Sequence, residues 1–78
     1  MTKPSSRARH IAGAGKMLFG DARWQSPLAR LVGISPTLMQ KIADGSRDVT
    51  DDVLEKVRAA LALEAVRLRS VADKIEAI

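Results

Sequence analysis

The chain contains no cysteine and only two aromatic residues, Phe19 and Trp24. Without cysteine there is no disulfide, thiolate metal site or thiol nucleophile, which excludes a secreted disulfide scaffold. The single histidine, His10, has no partners at metal-ligand spacing, so no metal and no other cofactor is expected. Because neither paired catalytic carboxylates nor a nucleophile with its base can be assembled, we expect that the protein is not an enzyme.

Long apolar runs are also missing. No stretch approaches the roughly 20 apolar residues needed to span a bilayer. The N-terminus, MTKPSSRARH, carries basic residues without a following apolar segment and cleavage site. The sequence therefore predicts a cytoplasmic protein with no membrane contact. A length of 78 residues allows one domain with one modest core and leaves no room for a separate catalytic or effector-binding domain.

The positive charge is unevenly distributed. The formal net charge is +4. Residues 1–49 contain eight basic and three acidic residues, a net +5, whereas residues 50–78 contain five basic and six acidic residues, a net −1. This asymmetry is typical of a protein that binds an anionic polymer with its N-terminal part. Charge alone leaves two interpretations open, a nucleic-acid partner or an incidentally basic surface.

The N-terminal part of the chain predicts a flexible arm followed by a helix. Residues 1–6 form the expected arm, because they combine a terminus, a proline and small polar residues. A helix is predicted from about Ser6, with Ser6 as its cap. Gly13 and Gly15 each weaken a helix by up to about 1 kcal/mol, so we expect them to permit a close helix crossing. Apolar residues at helical spacing form the predicted buried face: Ile11, Ala14, Met17 and Leu18.

The segment QSPLARLVGISPTLMQKIAD, residues 25–44, predicts two short helices. Each begins at a Ser-Pro pair, at Ser26 and at Ser35, because serine caps a helix and proline is favoured at its first position. Gly33 supplies the turn between them, where a left-handed conformation is easily adopted. Trp24, just before the segment, is expected in the core, with a phosphate contact through its indole N–H as the alternative.

This segment resembles the helix-turn-helix of the lambda-repressor and Cro-like family, often called the XRE family. The resemblance covers roughly residues 11–63 and implies an all-α, compact four- to five-helix bundle with a long C-terminal helix. The chain departs from the family pattern in its glycine-containing first helix and in Pro36, which stands where many members have a base-reading polar side chain. The residues that carry the resemblance are Gln25, Ala29, Gly33, Ile34, Met39 and Ile42.

The resemblance implies that the helix beginning at Pro36 lies in the major groove of DNA, while the helix beginning at Pro27 crosses the backbone. For Arg47, which the resemblance places at a phosphate, the alternative is an ion pair with Asp48. The implied base-reading residues are Pro36, Thr37, Gln40, Lys41 and Asp44. The implied phosphate contacts are Arg7, Arg9, Gln25, Ser26, Arg30, Ser35 and Arg47.

The C-terminal part predicts a long helix. Gly45 ends the preceding helix, Thr50 caps the next, and residues 51–78 contain neither glycine nor proline. This helix either continues without a break or bends near Ala62 to Glu64. Its apolar residues follow alternating steps of three and four, which is heptad-like spacing. The spacing predicts dimerisation through a second copy of the chain, with folding back onto the same domain as the alternative. The dimerisation residues are Leu61, Leu68, Val71, Ile75 and Ile78.

These features divide the chain into an arm (1–6), a helix-turn-helix DNA-binding domain (7–63) and a C-terminal dimerisation extension (64–78). We therefore expect a sequence-specific transcriptional regulator, a small homodimeric repressor that reads an inverted repeat in double-stranded DNA. Its half-sites would lie about one helical turn, or roughly 34 Å, apart. Autorepression of a phage or mobile-element operon is the plainest use. The alternative is an antitoxin or adaptor that acts through protein contacts of its C-terminal helix.

Overall fold

The structure, a computed structural model, describes residues 3–78. Within this range the chain forms four helices and no strand, so the expected all-α architecture is found with four helices. Met1 and Thr2, part of the predicted arm, lie outside the described residues. The helices are α1 (Ser6–Phe19), α2 (Gln25–Val32), α3 (Pro36–Asp44) and α4 (Asp51–Glu76).

Three helices begin at a residue whose side-chain hydroxyl accepts a hydrogen bond from a backbone amide of the first turn. The Ser35 hydroxyl accepts from the amide of Leu38 at 3.1 Å, and Thr50 Oγ1 caps α4 in the same way. The cap of α1 is Ser5, one residue earlier than predicted, so the prediction of Ser6 was wrong. Both positions are serine, and only the backbone angles decide between them, because Ser5 is extended and Ser6 is already helical.

The start of α2 differs from the sequence prediction. Trp24 has helical backbone angles, and its carbonyl accepts a hydrogen bond from the amide of Leu28 at 3.0 Å, so the first turn begins before Ser26. Ser26 therefore lies inside the helix, and its predicted role as the cap was wrong. No side chain caps α2. Burial of the Trp24 ring, which is 3% exposed, holds this residue in place and confirms it as a core residue.

The turn between α2 and α3 is built as the sequence predicts. Gly33 adopts φ 88°, in the left-handed region, and its amide donates to the carbonyl of Ala29 at 2.9 Å. A side chain at this position would strain the backbone. The turn allows α2 and α3 to pack closely, and Leu28, Met39 and Ile42 between them are fully buried.

One of the two α1 glycines makes the predicted close crossing. A Cβ on Gly15 would overlap the Trp24 ring and lie 3.0 Å from Leu28 Cδ2, whereas a Cβ on Gly13 would meet nothing within 4 Å. Gly15 is buried with Ile11, so this face of α1 covers the core. Met17 is 87% exposed, and its prediction as part of the buried face was wrong.

Helix α4 is continuous from Asp51 to Glu76, without a break near Ala62. Its first part buries Val53 and Val57 against the other helices, with Leu61 half-buried at the end of that contact. Residues 3–61 form a compact body, here called the head. Residues 62–78, here called the tail, project from it without folding back, which gives the molecule extents of 51 × 25 × 20 Å.

None of the helices formed by residues 3–78 combines the length and the apolar character that crossing a lipid bilayer requires.

Candidate nucleic-acid interface

The outward side of α3 carries the predicted base-reading residues. Burial of Met39 and Ile42 fixes which side of this helix meets the core, and the opposite side is left to solvent. Thr37, Gln40 and Lys41 follow helical spacing and lie side by side on that surface. Five exposed residues make up this surface, called the outer face of α3: Pro36, Thr37, Gln40, Lys41 and Asp44.

The structure brings part of the outer face of α3 together with the beginning of α2. Gln25 and Ser26 line one shallow groove with Pro36, Thr37 and Gln40, and its volume is about 240 Å³. The start of α2 thus lies beside the start of α3, although the Gly33 turn joins the start of α3 to the other end of α2. Two predicted phosphate-contacting residues and three predicted base-reading residues therefore share one surface.

The first turn of α2 has free hydrogen-bonding capacity. The first amides of a helix have no partner within the helix, and in α1, α3 and α4 a serine or threonine side chain accepts one of them. No side chain does so in α2. Ser26 is exposed within that turn, and its hydroxyl can donate as well. The amides and the hydroxyl together form a set of donors that suits an anionic oxygen.

The predicted phosphate-contacting arginines are in different situations. Arg9, Arg30 and Arg47 are exposed, and the structure shows no ion pair for them within residues 3–78. The alternative pairing of Arg47 with Asp48 is thus not formed in that range. Arg47 lies in the turn after α3, where its backbone amide donates to the carbonyl of Lys41 at 3.2 Å.

Arg7 has a structural role that the sequence did not indicate. Its Nη1 donates to Asp51 Oδ1 at 2.7 Å and to the carbonyl oxygen of Val49 at 3.3 Å. These bonds join the beginning of α1 to the beginning of α4. In the sequence Asp51 is an acidic residue in the first turn of a helix, which the helix dipole favours, and nothing there indicates a contact with Arg7. A phosphate contact of Arg7 stays a prediction, and it would compete with the ion pair.

Asp44 lies at the end of the outer face of α3, and its carboxylate forms a hydrogen bond within the turn that follows the helix. Its carboxylate accepts the backbone amide of Ser46 at 2.8 Å. The Ser46 hydroxyl and amide, with a smaller contribution from the charge of Lys41, lower the pKa of Asp44 below its usual value. The carboxylate therefore stays ionised at neutral pH and helps to end α3. Sequence reasoning missed Ser46, although an Asp two residues before a Ser, next to a helix-ending Gly, is a common turn signal.

The predicted dimerisation residues are separated from this interface. Leu68, Val71, Ile75 and Ile78 lie on the tail and are 51%, 52%, 64% and 103% exposed. Leu61 differs from them, because it packs partly against the core of the head. Four of the five residues are thus uncovered in the single chain.

Comparison with protein-family models, curated proteins and solved structures found no match to this chain.

Proposed function

We propose that the chain is a sequence-specific DNA-binding regulator that acts as a homodimeric repressor in the cytoplasm. In this proposal the head has the lambda-repressor-like arrangement, α3 enters the major groove, and α2 lies across the phosphate backbone. The observation that carries the proposal is the shared groove at the beginnings of α2 and α3, where Gln25 and Ser26 lie beside Pro36, Thr37 and Gln40. In this docking, phosphates would face the beginning of α2 and base edges would face α3.

The chemistry of each side chain suggests a division of labour. Gln40 can form two hydrogen bonds to adenine, Lys41 can donate to guanine, and the Thr37 methyl can contact thymine, each good pair contributing on the order of 1–3 kcal/mol of discrimination. Pro36 has no side-chain donor, and its ring offers only an apolar contact. The uncapped amides of α2 and the exposed Arg30 and Arg47 would hold phosphates and set the register.

The charge distribution supports the same assignment. The excess of basic residues lies in residues 1–49, which include α2, α3 and the turn after α3. The slight acidic excess lies in residues 50–78, which form α4 and its cap. A polyanion would therefore be attracted to the head rather than to the tail.

The first test is the salt dependence of binding to random double-stranded DNA, measured by fluorescence anisotropy with the full chain. Each neutralised phosphate should contribute a slope of about −0.9 to log affinity against log salt. Arg47→Gln should weaken binding to all sequences and reduce the slope by about one phosphate. Arg69→Gln, which removes an exposed arginine from the tail, is the matched control and should change neither. A chain that ignores duplex DNA at low salt would refute the proposal.

The second test separates readout from positioning. Gln40→Ala should weaken binding to a selected operator by about tenfold and relax the preference at one base pair, with unchanged helix content, because Gln40 is exposed. Operators can be obtained by selection of bound fragments from a pool of genomic or random DNA. Equal operator binding by the wild type and Gln40→Ala in a mobility-shift assay would remove Gln40 from the readers.

A second candidate function is an antitoxin or adaptor that acts through protein contacts of the C-terminal helix. The uncovered apolar residues of the tail favour it, because such a surface is typical of a protein interface. In this case the tail would bind a different protein and the chain alone would stay monomeric. Sedimentation of the purified chain distinguishes the two, since the repressor proposal requires a dimer.

A further inference from the structure

The tail presents an apolar strip formed by Leu68, Val71, Ile75 and Ile78. These residues are half to fully exposed and continue the heptad-like spacing that begins in the head at Leu54. Two large apolar residues of the tail, Leu63 and Val66, lie off this spacing and are also exposed. A helix with one regular apolar strip and no domain beneath it is typical of a helix that pairs with another helix.

An apolar groove lies at the other end of α4, on the head. It has a volume of about 280 Å³ and is lined by His10, Ile11 and Ala14 of α1 and by Leu54, Val57, Arg58 and Leu61 of α4. Leu54 and Leu61 are only partly covered by the core of the head, so their free sides form the groove wall. The groove and the apolar strip belong to one heptad series, since Leu54, Leu61, Leu68 and Ile75 are each seven residues apart.

We propose that the occupant of this groove is the apolar strip of a second copy, with the two α4 helices packed antiparallel. Ile75 and Ile78 of the second copy would enter the groove beside Leu54 and Val57, and the same contact would repeat in the other direction. The inference rests on the homodimer of the proposed function and gives it a geometry, but it does not depend on DNA binding.

The lengths of the two surfaces support the antiparallel direction. The α4 side of the groove extends from Leu54 to Leu61, about 10.5 Å at 1.5 Å per residue, and the part of the strip from Val71 to Ile78 has the same length. If Leu61 lies opposite Val71 of the second copy, Leu54 lies opposite Ile78. A parallel pair would cover the strip with another strip and leave both grooves open to water.

Glu64 also favours the antiparallel direction. It occupies the one polar place in the heptad series, and its side chain is 23% exposed and forms an ion pair with Arg67 at 3.4 Å. A parallel pair in register would place the two Glu64 carboxylates opposite each other in the contact, where like charges repel. In the antiparallel pair each Glu64 lies opposite Leu68 of the second copy, and its own Arg67 remains beside it.

The antiparallel pair also produces a spacing that suits DNA. The two-fold axis would cross α4 near Val66, about ten residues from the middle of the segment that contacts the head. Ten residues correspond to about 15 Å, so the two heads would be separated by about 30 Å along the helix direction. This is close to the distance of roughly 34 Å between half-sites on one face of DNA.

The first experiment measures self-association by sedimentation equilibrium without DNA. Leu68→Glu should weaken the dimer at least tenfold, whereas Leu63→Glu, a leucine of similar exposure outside the strip, should leave it unchanged. Ala14→Glu in the groove should weaken it to a similar degree, and its neighbour Gly13→Glu, where the added atoms meet open space, should not. An unchanged dimer in Ala14→Glu would overturn the groove assignment even if Leu68→Glu dissociates.

The second experiment fixes the direction and does not depend on disruptive variants. The natural chain has no cysteine, so chains with Leu61→Cys and chains with Val71→Cys can be mixed and oxidised or treated with a short thiol cross-linker. The antiparallel pair predicts covalent dimers in the mixture and few in either chain alone, because identical positions would be about 15 Å apart along the axis. Efficient cross-linking of each chain to itself would show a parallel pair and overturn the proposal.

The two proposals can fail separately. A chain that binds operator DNA but remains monomeric at all accessible concentrations would refute the antiparallel pair and leave DNA binding intact. A chain that forms the predicted mixed cross-link but ignores duplex DNA would confirm the pair and refute the proposed function. Cross-links in none of the samples, together with a monomeric mass, would overturn the pair as well.

Discussion

The two parts of α4 share one apolar spacing and have different surroundings. Residues 51–61 bury Val53 and Val57 against the head, whereas residues 62–78 continue the same helix with their apolar side chains exposed. The heptad-like spacing does not change between them. The difference shows that apolar spacing alone does not decide whether a helix face is buried, because burial also depends on what the rest of the chain places against that face.

The largest difference is expected between leucine-to-alanine substitutions in the head and in the tail. Leu28→Ala removes a side chain with no exposed surface from the head and should lower the free energy of unfolding by about 2–5 kcal/mol. Leu63→Ala in the tail should change it by less than about 0.5 kcal/mol, since the side chain is 63% exposed. Urea denaturation followed by circular dichroism measures both. Similar losses would mean that the tail is covered in a way the single chain does not show.

An intermediate effect is expected at the two glycines of α1, which lie two residues apart. Gly15→Ala would force the Trp24 ring or α1 to shift, and overpacking of this kind costs about 1–3 kcal/mol. Gly13→Ala has space for its methyl group and should stabilise the helix by up to about 1 kcal/mol. Thermal unfolding should show a lower melting temperature for Gly15→Ala and a higher one for Gly13→Ala, which would sharpen the contrast between packed and open surfaces. Stabilisation by both substitutions would contradict the close crossing.

The smallest effect is expected from the hydroxyl residues of α4. Thr50 Oγ1 accepts the amide of Val53 at 3.2 Å, and Thr50→Ala should cost about 1 kcal/mol. Ser70→Ala, in the middle of the exposed tail, should be neutral or slightly stabilising because alanine has the higher helix propensity. Neither variant should change the self-association that is measured for the wild type. Denaturation at several protein concentrations separates the stability of the single chain from self-association. Equal unfolding free energies for the two variants would argue against the cap.

Many boundaries of the fold could be predicted from the sequence because local chemistry decides them. Gly33 and Gly45 end helices in left-handed conformations, and Ser35 with Pro36 starts one, all as expected. These signals act over three or four residues, so no distant contact is needed. The same reasoning failed at Ser26, where burial of Trp24 extends the helix upstream of the Ser-Pro pair. A distant packing partner can therefore override a strong local signal.

The candidate interface could be predicted only in part. Helical spacing identified the outer face of α3, because buried Met39 and Ile42 alternate with exposed residues at the period of the helix. The spacing could not show that Gln25 and Ser26 lie beside Gln40, nor that Arg7 is bonded to Asp51, since these pairs depend on how separate helices pack. The groove between α1 and α4 was missed for the same reason. Its walls come from segments about forty residues apart in the chain.

The sequence by itself determined where most helices begin and end and which residues on each helix are apolar, because capping and periodicity depend on near neighbours. Only the tertiary structure decided which helix faces meet, since packing joins side chains far apart in the chain and depends on close fits such as Gly15 against Trp24. It also decided that α4 is longer than the head beneath it. The spacing of the apolar strip can be read from the sequence, but its exposure is a property of the folded chain.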